Sequence, residues 1–391
     1  MLNQNSEHTD DSGLLRTQEN NNNTDNADDL AQSVSIAFTN DVHCKIDFDD
    51  NDRNSFGYAG VAAYRAAANN TYGEEYVTLI DAGDAVQGDV AGTISKGEAI
   101  TDLMNFVGYD YAIPGNHEYD FGMEQFEWFV NNFEGSYLSC NFTDADGNLL
   151  LAPYALETYE NIDDGDPADN DDSLTIAYIG ITTPETLTSS NPTVFQDGSG
   201  NYLYDFCNDK TGQALYSAVQ NAVDNATNEG ADYIIAVGHL GETGVSDKWT
   251  SDAVIKNTKG IDAFIDGHSH ETYNKTALNK NNESVPLIQT GTELTNTGEL
   301  IITPSAEEGN DITSTLSSYE DFAEMDEATA DKVTAINSEL MNIAGQRVGY
   351  SEVNLISEDA ETYTFSYFAC SYNPQWSVFS AISNQTKKNT K

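Results

Sequence analysis

Basic residues are scarce in this chain of 391 residues, which has 16 Lys and Arg against 65 Asp and Glu and a formal net charge of −49 at pH 7. Binding to nucleic acid through its phosphates requires a basic face. Attachment to anionic lipids also requires clustered Lys and Arg. The composition therefore argues against a nucleic-acid-binding protein and a polybasic membrane anchor. The excess of one charge favours solubility.

Long apolar runs and cysteines are also few. The sequence has no run of about 18 apolar residues, which excludes a transmembrane helix. Its four cysteines, Cys44, Cys140, Cys207 and Cys370, form no Cys-x-x-Cys pair and are too few for a disulfide framework at this length. Hydrophobic residues still make up 39% of the chain. That share is enough for a core of ordinary size, in one large domain or two to three smaller ones.

Residues 1–32 are polar, rich in Asn and Asp, and poor in aliphatic side chains. Such a composition buries too little apolar surface to fold, which predicts a disordered tether. The segment has no apolar stretch of the signal-peptide type. Because it is similar to tethers that follow a removed secretion signal, we expect an extracellular or cell-surface protein, with a cytoplasmic location as the alternative.

Short apolar segments that end in polar clusters recur along the chain and predict β-strands. The predicted strands are 33–39, 76–80, 109–114, 173–181, 233–237, 261–265, 285–289 and 299–303. Helical patterns between and after them cover 60–68, 97–105, 123–132, 211–225 and 328–344. Strands that alternate with helices indicate an α/β layer fold, in which ligands bind at the carboxyl ends of strands.

Histidines are concentrated at these strand ends. Five of the six lie there, beside Asp, Asn or Gly: His43, His117, His239, His268 and His270. A single histidine is more often structural, but five in one setting predict a metal site. Imidazole nitrogens mixed with carboxylate or amide oxygens suit Zn, Mn, Fe or similar ions. The donors exceed one tetrahedral shell, which indicates two metals sharing a carboxylate.

Five motifs in order resemble the calcineurin-like metallophosphoesterases and, within them, the 5′-nucleotidase group. They are Thr39-Asn40-Asp41-Val42-His43, Asp81-Ala82-Gly83-Asp84, Gly115-Asn116-His117-Glu118-Tyr119-Asp120, Gly238-His239-Leu240-Gly241 and Gly267-His268-Ser269-His270. The later Gln289-Thr290-Gly291 is similar to the family's end-of-domain segment. The resemblance covers residues 33–305. It implies an α/β fold, a four-layer sandwich of two mixed β-sheets flanked by helices.

The resemblance also implies residue roles. Asp41, His43 and His270 would bind the first metal, Asp84 would bridge both, and Asn116, His239 and His268 would bind the second. Asn116 and His117 would contact the substrate, with Asp120 orienting His117 as the catalytic pair. The implied cofactors are two divalent ions (Zn, Mn, Fe, Co or similar). The implied reaction is the release of phosphate from a nucleotide, a small-molecule phosphate ester, by a water that the metals deprotonate.

The chain departs from the family after this region. Two-domain nucleotidases have a second domain after a linker helix, with Arg residues for the phosphate and aromatic rings for the base. The family's Arg-bearing helix opening is not visible after Leu355. We therefore expect a tether at 1–32, a catalytic domain at 33–310 and a linker helix region at 311–345. Residues 346–391 would be a truncated remnant of a C-terminal domain or an unstructured tail.

Several alternatives stay open. The enzyme could be a cyclic-nucleotide phosphodiesterase or a sulfur-ester hydrolase of the same family. The chain could also be a catalytically impaired surface or binding module that lacks its substrate domain. Locally, we favour a packed thiol over a metal ligand for Cys44 and a helix start over a phosphate loop for 57–64. The acidic segments 47–52 and 160–173 are favoured as surface loops over calcium sites.

Overall fold

The structure is a computed structural model, and it describes residues 33–46, 54–162, 173–244, 246–304 and 311–344. The predicted tether, the acidic segment 47–52 and the predicted remnant at 346–391 lie outside the described residues. Most of the acidic segment 160–173 does as well. The interpretations given for these segments therefore stay predictions.

The strands of the described part fall into two six-stranded sheets and one short ribbon. In chain order they are β1 Val34–Thr39, β2 Val77–Asp81, β3 Tyr111–Ala112, β4 Ser136–Tyr137, β5 Thr143–Asp144, β6 Tyr154–Glu160, β7 Ser173–Thr182, β8 Tyr204–Asp205, β9 Tyr233–His239, β10 Ala263–Ile265, β11 Thr272–Leu278, β12 Ser284–Thr290, β13 Asn296–Ile302 and β14 Ile312–Ser318. The first sheet has the order β14-β13-β1-β2-β3-β4, the second β11-β12-β10-β9-β7-β6, and β5 pairs with β8.

Both large sheets are mixed. In the first, β1 to β4 are parallel neighbours, and β13 and β14 join them antiparallel. In the second, β7, β9, β10 and β12 are parallel, and the edge strands β6 and β11 are antiparallel. Parallel neighbours place their carboxyl ends at one edge of a sheet. The histidine-bearing loops of each sheet therefore emerge together.

Helices cover the outer faces of the sheets. They are α1 Gly57–Tyr72, α2 Val90–Ser95, α3 Glu98–Val107, α4 Met123–Asn132, α5 Thr186–Ser189, α6 Gln213–Asn228, α7 Ser251–Asn257 and α8 Glu327–Ala344. The helical patterns of the sequence each overlap one of these. Among the described residues, no helix combines the length and apolar character needed to cross a membrane.

Side-chain alternation along the central strands produces the layers. In β1, Ile36 and Phe38 belong to a buried cluster shared with the second sheet, whereas Ala37 belongs to a cluster shared with helices. In β7, Ile176 packs into the cluster between the sheets, and Ile179 packs toward the helices of the other side. A strand buried on both faces requires such a nearly continuous apolar run. The predicted α/β sandwich of two mixed sheets flanked by helices is confirmed.

The region predicted as a linker, 311–345, contains two different elements. Its first part is β14, which extends the first sheet by pairing with β13. Its second part is α8, where a helix was expected, and Val333 and Leu340 of α8 are buried in the helical layer of the first sheet. The position of the domain boundary stays a prediction.

Candidate metal centre

Two loops that follow β1 and β2 lie side by side because Thr39 at the end of β1 is the register partner of Asp81 in β2. The backbone N–H of Asp41 donates to Gly83 O at 2.9 Å, and that of His43 donates to Asp84 O at 2.9 Å. Asp41, His43 and Asp84 have left-handed backbones, with φ of 49°, 46° and 61°. This geometry turns their side chains into one space at the edge of the sheet.

The second sheet brings three histidines to the same space. His239 is the last residue of β9, and its Nδ1 donates to Ala82 O of the first sheet at 2.8 Å. His268 and His270 follow β10, with left-handed φ of 81° and 57°. The backbone N–H of His268 donates to Asp41 Oδ2 at 2.9 Å. The loops of the two sheets are thus joined directly.

The first group of donors, called cluster one, consists of Asp41, His43 and His270, whose ligand atoms lie within 4.8 Å of one another. His270 Nε2 is 3.3 Å from Asp41 Oδ1 and 3.0 Å from His43 Nε2. The His270 side chain is 46% exposed, whereas Asp41 is buried. Cluster one therefore opens to solvent on one side.

The second group, called cluster two, consists of Asp84, His239 and His268. Their ligand atoms also lie within 4.8 Å of one another. His239 Nε2 is 3.1 Å from Asp84 Oδ2, and both side chains are buried. The clusters adjoin, because Asp84 Oδ2 is also 4.0 Å from His43 Nε2. A carboxylate in this position is within reach of cations in both clusters.

Some polar atoms of the site are buried and lack a hydrogen-bond partner among the described residues, which is the situation expected of metal ligands. Within the described part of the chain, Asp41 Oδ1, Asn116 Oδ1 and His239 Nε2 are buried and have no hydrogen-bond partner. An unsatisfied buried polar atom costs about 1–3 kcal/mol. Since Nδ1 of His239 donates to Ala82 O, Nε2 is the nitrogen that would supply a lone pair when a cation displaces its proton. Carboxylate oxygen, amide oxygen and imidazole nitrogen together fit divalent cations such as Zn or Mn.

Glycine permits the close approach of the two sheets at this edge. Gly83 has φ of 98°, and a Cβ built there would lie 2.6 Å from His239 Nδ1. A Cβ on Gly267 would lie 2.8 Å from the same nitrogen. Both distances are shorter than real Cβ contacts allow, so a larger residue at either position would push His239 out of place.

His117 and Asp120 form a hydrogen-bonded pair beside the clusters. A short 3-10 helix at His117–Tyr119 brings His117 Nδ1 to 2.6 Å from Asp120 Oδ2. The other carboxylate oxygen, Oδ1, accepts from Ser190 Oγ at 2.9 Å. The ring centroid of His117 is 5.4 Å from that of His43. His117 therefore faces the clusters without joining either one.

The electrostatics of the site follow from burial and from the carboxylates. Burial lowers the pKa of His117, but the charge of Asp84 and the hydrogen bond that His117 donates to Asp120 outweigh it and raise the pKa to about 9. For His239, burial is likewise outweighed by the charges of Asp84 and Asp41, which raise the pKa to about 10. For His43 burial prevails and lowers the pKa. A bound cation would replace the proton of a ligating histidine, because only neutral imidazole ligates.

The structure brings together the Asp and His residues named from the sequence, with His117 and Asp120 beside the clusters, while their individual roles stay predictions. Asn116 directly precedes His117, and its Oδ1 is buried. Cys44 lies outside both clusters, buried, with its Sγ donating to Ala85 O at 3.5 Å, and burial raises its thiol pKa. Residues 57–64 lie in α1, so they begin a helix as expected.

Three carboxylates that hold the loops were not assigned from the sequence. Glu118 accepts from the backbone N–H groups of Asp84 at 2.9 Å and Gly115 at 2.7 Å. Asp266 accepts from the N–H groups of Leu240 and Gly241, both at 3.1 Å. Glu185 lies 3.2 Å from His268 Nε2. Glu118 and Asp266 lie in or next to the histidine motifs, which was the available signal; Glu185 follows a predicted strand end that carries no histidine.

Comparisons with known proteins match most of the part of the chain that carries these residues. A family model described as calcineurin-like phosphoesterase matches residues 34–272. The trifunctional nucleotide phosphoesterase protein YfkN of Bacillus subtilis is 26% identical over 261 residues, which cover 61% of this chain and 16% of that protein. The 5′-nucleotidase of Bos taurus is 29% identical over 253 residues, covering 61% of this chain and 38% of the relative. The chain thus spans less than half the length of these relatives.

A solved structure has the same fold. The crystal structure of calcineurin-like phosphoesterase YfkN from Bacillus subtilis matches with a TM-score of 0.63 at 21% identity. The match covers 80% of this chain and 98% of that one. At this identity the likeness is informative about the fold alone, and it extends beyond the residues that the family model covers.

Proposed function

The chain belongs to the calcineurin-like phosphoesterase family, and from this premise we propose that it acts as a 5′-nucleotidase that releases phosphate from nucleotides. Metal-dependent ester hydrolysis is the chemistry of the family. The observation that carries the proposal is the contact between clusters one and two, with His117 and Asp120 beside them. Support for a nucleotide substrate comes from the relatives, which are named for nucleotide phosphoesterase and 5′-nucleotidase activity.

In this proposal the clusters hold two divalent cations. Asp41, His43 and His270 would hold one, and His239 and His268 would hold the other, together with Asn116 from the sequence motif. Asp84 is shared. When bound, such a pair of cations supplies charge to neutralise the phosphate and lowers the pKa of a water enough for attack near neutral pH. Concentrated positive charge also explains how a chain of net charge −49 would accept an anionic substrate.

His117 supplies a positioned proton. Asp120 Oδ2 accepts from Nδ1, which fixes the ring and leaves Nε2 to face the substrate. Ser190 donates to the other oxygen of Asp120, so the carboxylate itself cannot rotate freely. In the metal-free chain the charge of Asp84 and the hydrogen bond to Asp120 raise the pKa of His117 to about 9. With cations bound to Asp84, the Asp120 carboxylate is the group that favours the protonated ring. The Nε2–H of His117 can then donate to a phosphate oxygen and pass a proton to the departing ester oxygen.

Phosphate release from AMP by the purified chain, with added Mn²⁺ and with or without EDTA, tests the proposal. We expect release that EDTA abolishes, with adenosine as the second product. A chain that binds about two Mn²⁺ but releases nothing from AMP would contradict the proposal and favour the binding module. Hydrolysis of a cyclic nucleotide to a monophosphate, without further release, would instead indicate a phosphodiesterase.

A further inference from the structure

We propose that Glu185 is a positioning residue that fixes the orientation and the tautomer of His268 for a cation in cluster two. The inference rests on the metal-binding part of the proposed function and on no assumption about the substrate. Glu185 belongs to neither cluster. It acts, in this view, through the histidine that it contacts.

The contact is specific and buried. Glu185 lies just after β7, at the start of α5, and its side chain is only 4% exposed. Its Oε2 is 3.2 Å from His268 Nε2, and the His268 side chain is 13% exposed. The ring of His268 is in turn 5.1 Å from that of His239, centroid to centroid. Glu185 therefore contacts cluster two from outside, on the side of His268.

The carboxylate of Glu185 is itself held in place. Its second oxygen, Oε1, accepts from the backbone N–H of Ser246 at 2.9 Å. A Cβ built on Gly244 would lie 2.8 Å from the same oxygen, so the loop passes close to it. The backbone carbonyl of Glu185 accepts from the N–H of Ser189 at 2.7 Å. With both oxygens and the backbone engaged, the carboxylate presents one fixed acceptor to His268.

A fixed acceptor decides which ring nitrogen can ligate. Since a carboxylate accepts, His268 Nε2 carries the proton and donates, and the lone pair remains on Nδ1 for a cation. In His43 and His239 a hydrogen bond also fixes one ring nitrogen, but the acceptor is a neutral backbone carbonyl. Their Nδ1 atoms donate to Gln87 O and Ala82 O at 3.0 and 2.8 Å. The partner of His268 is instead a charged side chain. A carboxylate partner makes the imidazole a stronger donor to a metal.

The test is a Mn²⁺ titration of the full chain, up to millimolar concentration, for wild type and Glu185→Gln. Gln can keep the hydrogen bond from Ser246, but it replaces the charged acceptor that faces His268. We expect the affinity of one of the two Mn²⁺ steps to fall about 10- to 100-fold and the other to change less than about twofold. His270→Asn, which removes a donor from cluster one, assigns the two steps.

Glu157→Gln is the matched control. Glu157 is a partly buried glutamate on β6 whose Oε2 accepts from Tyr111 at 3.2 Å, away from both clusters. Its replacement removes the same charge and is expected to leave both Mn²⁺ steps unchanged. Unfolding of both variants in EDTA shows whether either change disturbs the metal-free fold.

A double substitution separates positioning from a general structural effect. In a His268→Asn background, Glu185→Gln should change the cluster-two affinity by less than about twofold, because the contact through which it acts is already gone. Equal weakening of both steps, or a full effect in the His268→Asn background, would overturn the inference. Two ions bound equally well by wild type and Glu185→Gln would also overturn it. A wild-type chain that bound no Mn²⁺ would contradict the proposed function itself.

Discussion

Clusters one and two use the same residue types but differ in burial. In cluster two, His239 is fully buried, whereas in cluster one the His270 side chain is 46% exposed. His239 ends a strand and is fixed by the sheet ladder, while His270 lies in a loop. Fixed donors shielded from water bind a cation more strongly and release it more slowly. We therefore expect an exchangeable ion in cluster one and a persistent ion in cluster two.

Asp84→Asn should have the largest effect, because the Asp84 carboxylate is 3.1 Å from His239 in cluster two and 4.0 Å from His43 in cluster one. We expect the affinity for both ions to fall by at least about 100-fold, and phosphate release to fall with it. Metal content after dialysis and turnover of AMP measure the two losses. Asp81→Asn is the control in the same motif, because Asp81 belongs to neither cluster and an amide oxygen can still accept from the Gly83 N–H, now at 3.0 Å. Loss of one ion alone would show that the clusters are independent.

His117→Ala tests whether the clusters hold their ions without the catalytic pair. His117 contacts Asp120 and belongs to neither cluster. We expect unchanged metal content and a fall in turnover of about 10²- to 10⁴-fold. Asp120→Asn should cause a smaller fall, because His117 keeps its ring and loses only its charged partner. Full activity of His117→Ala would refute the assigned proton transfer, and loss of metal would make His117 a ligand.

His239→Ala and His270→Ala compare the two clusters directly in the metal-free chain. Removal of the buried His239 ring leaves a cavity and an unpaired Ala82 carbonyl, so we expect the free energy of unfolding to fall by about 2–4 kcal/mol. The exposed His270 should contribute within about 0.5 kcal/mol. Denaturant unfolding in EDTA measures both. Equal losses would mean that burial does not distinguish the clusters.

An effect of pH on stability alone is expected outside both clusters, at Asp262 between β9 and β10. Burial raises its pKa to about 6, with the charges of Glu283 and Asp311 adding to it against the hydrogen bond from Ile234 N–H. The folded state thus keeps a proton that the unfolded chain loses at lower pH, so stability falls as the pH rises between those two pKa values. Asp262→Asn should match wild type near pH 4 and be more stable by about 1–2 kcal/mol above pH 6. A constant difference across pH would contradict this.

Strands that are buried on both faces were predictable, and edge strands were not. The apolar runs that predicted strands each overlap an observed one, since a central strand must be apolar throughout. All four edge strands of the two large sheets were missed: β4 (SY), β6 (YALETYE), β11 (TYNKTAL) and β14 (ITSTLSS). Their outward faces tolerate polar residues, and their pairing is determined by neighbours distant in sequence. Local composition therefore could not identify them.

The site shows the same division. The Asp and His residues of clusters one and two were found from the sequence because each of their motifs is short and local. The difference in burial between the clusters depends on contacts between β2 and β9, which no single segment encodes. Glu185 was missed for a related reason: its partner, His268, is 83 residues away. A search for carboxylates after strand ends that carry no histidine would have identified Glu185.

Five donor residues of the site have left-handed backbone conformations, which lower the stability of the fold. Asp41, His43, Asp84, His268 and His270 all have φ between 46° and 81°. That region costs a residue with a Cβ about 1 kcal/mol or more relative to glycine. In a metal-free chain, a selection for heat resistance would favour glycine where the side chain makes few other contacts, as at the half-exposed His270, and would remove a donor. Any such programme must therefore screen for metal retention at every round.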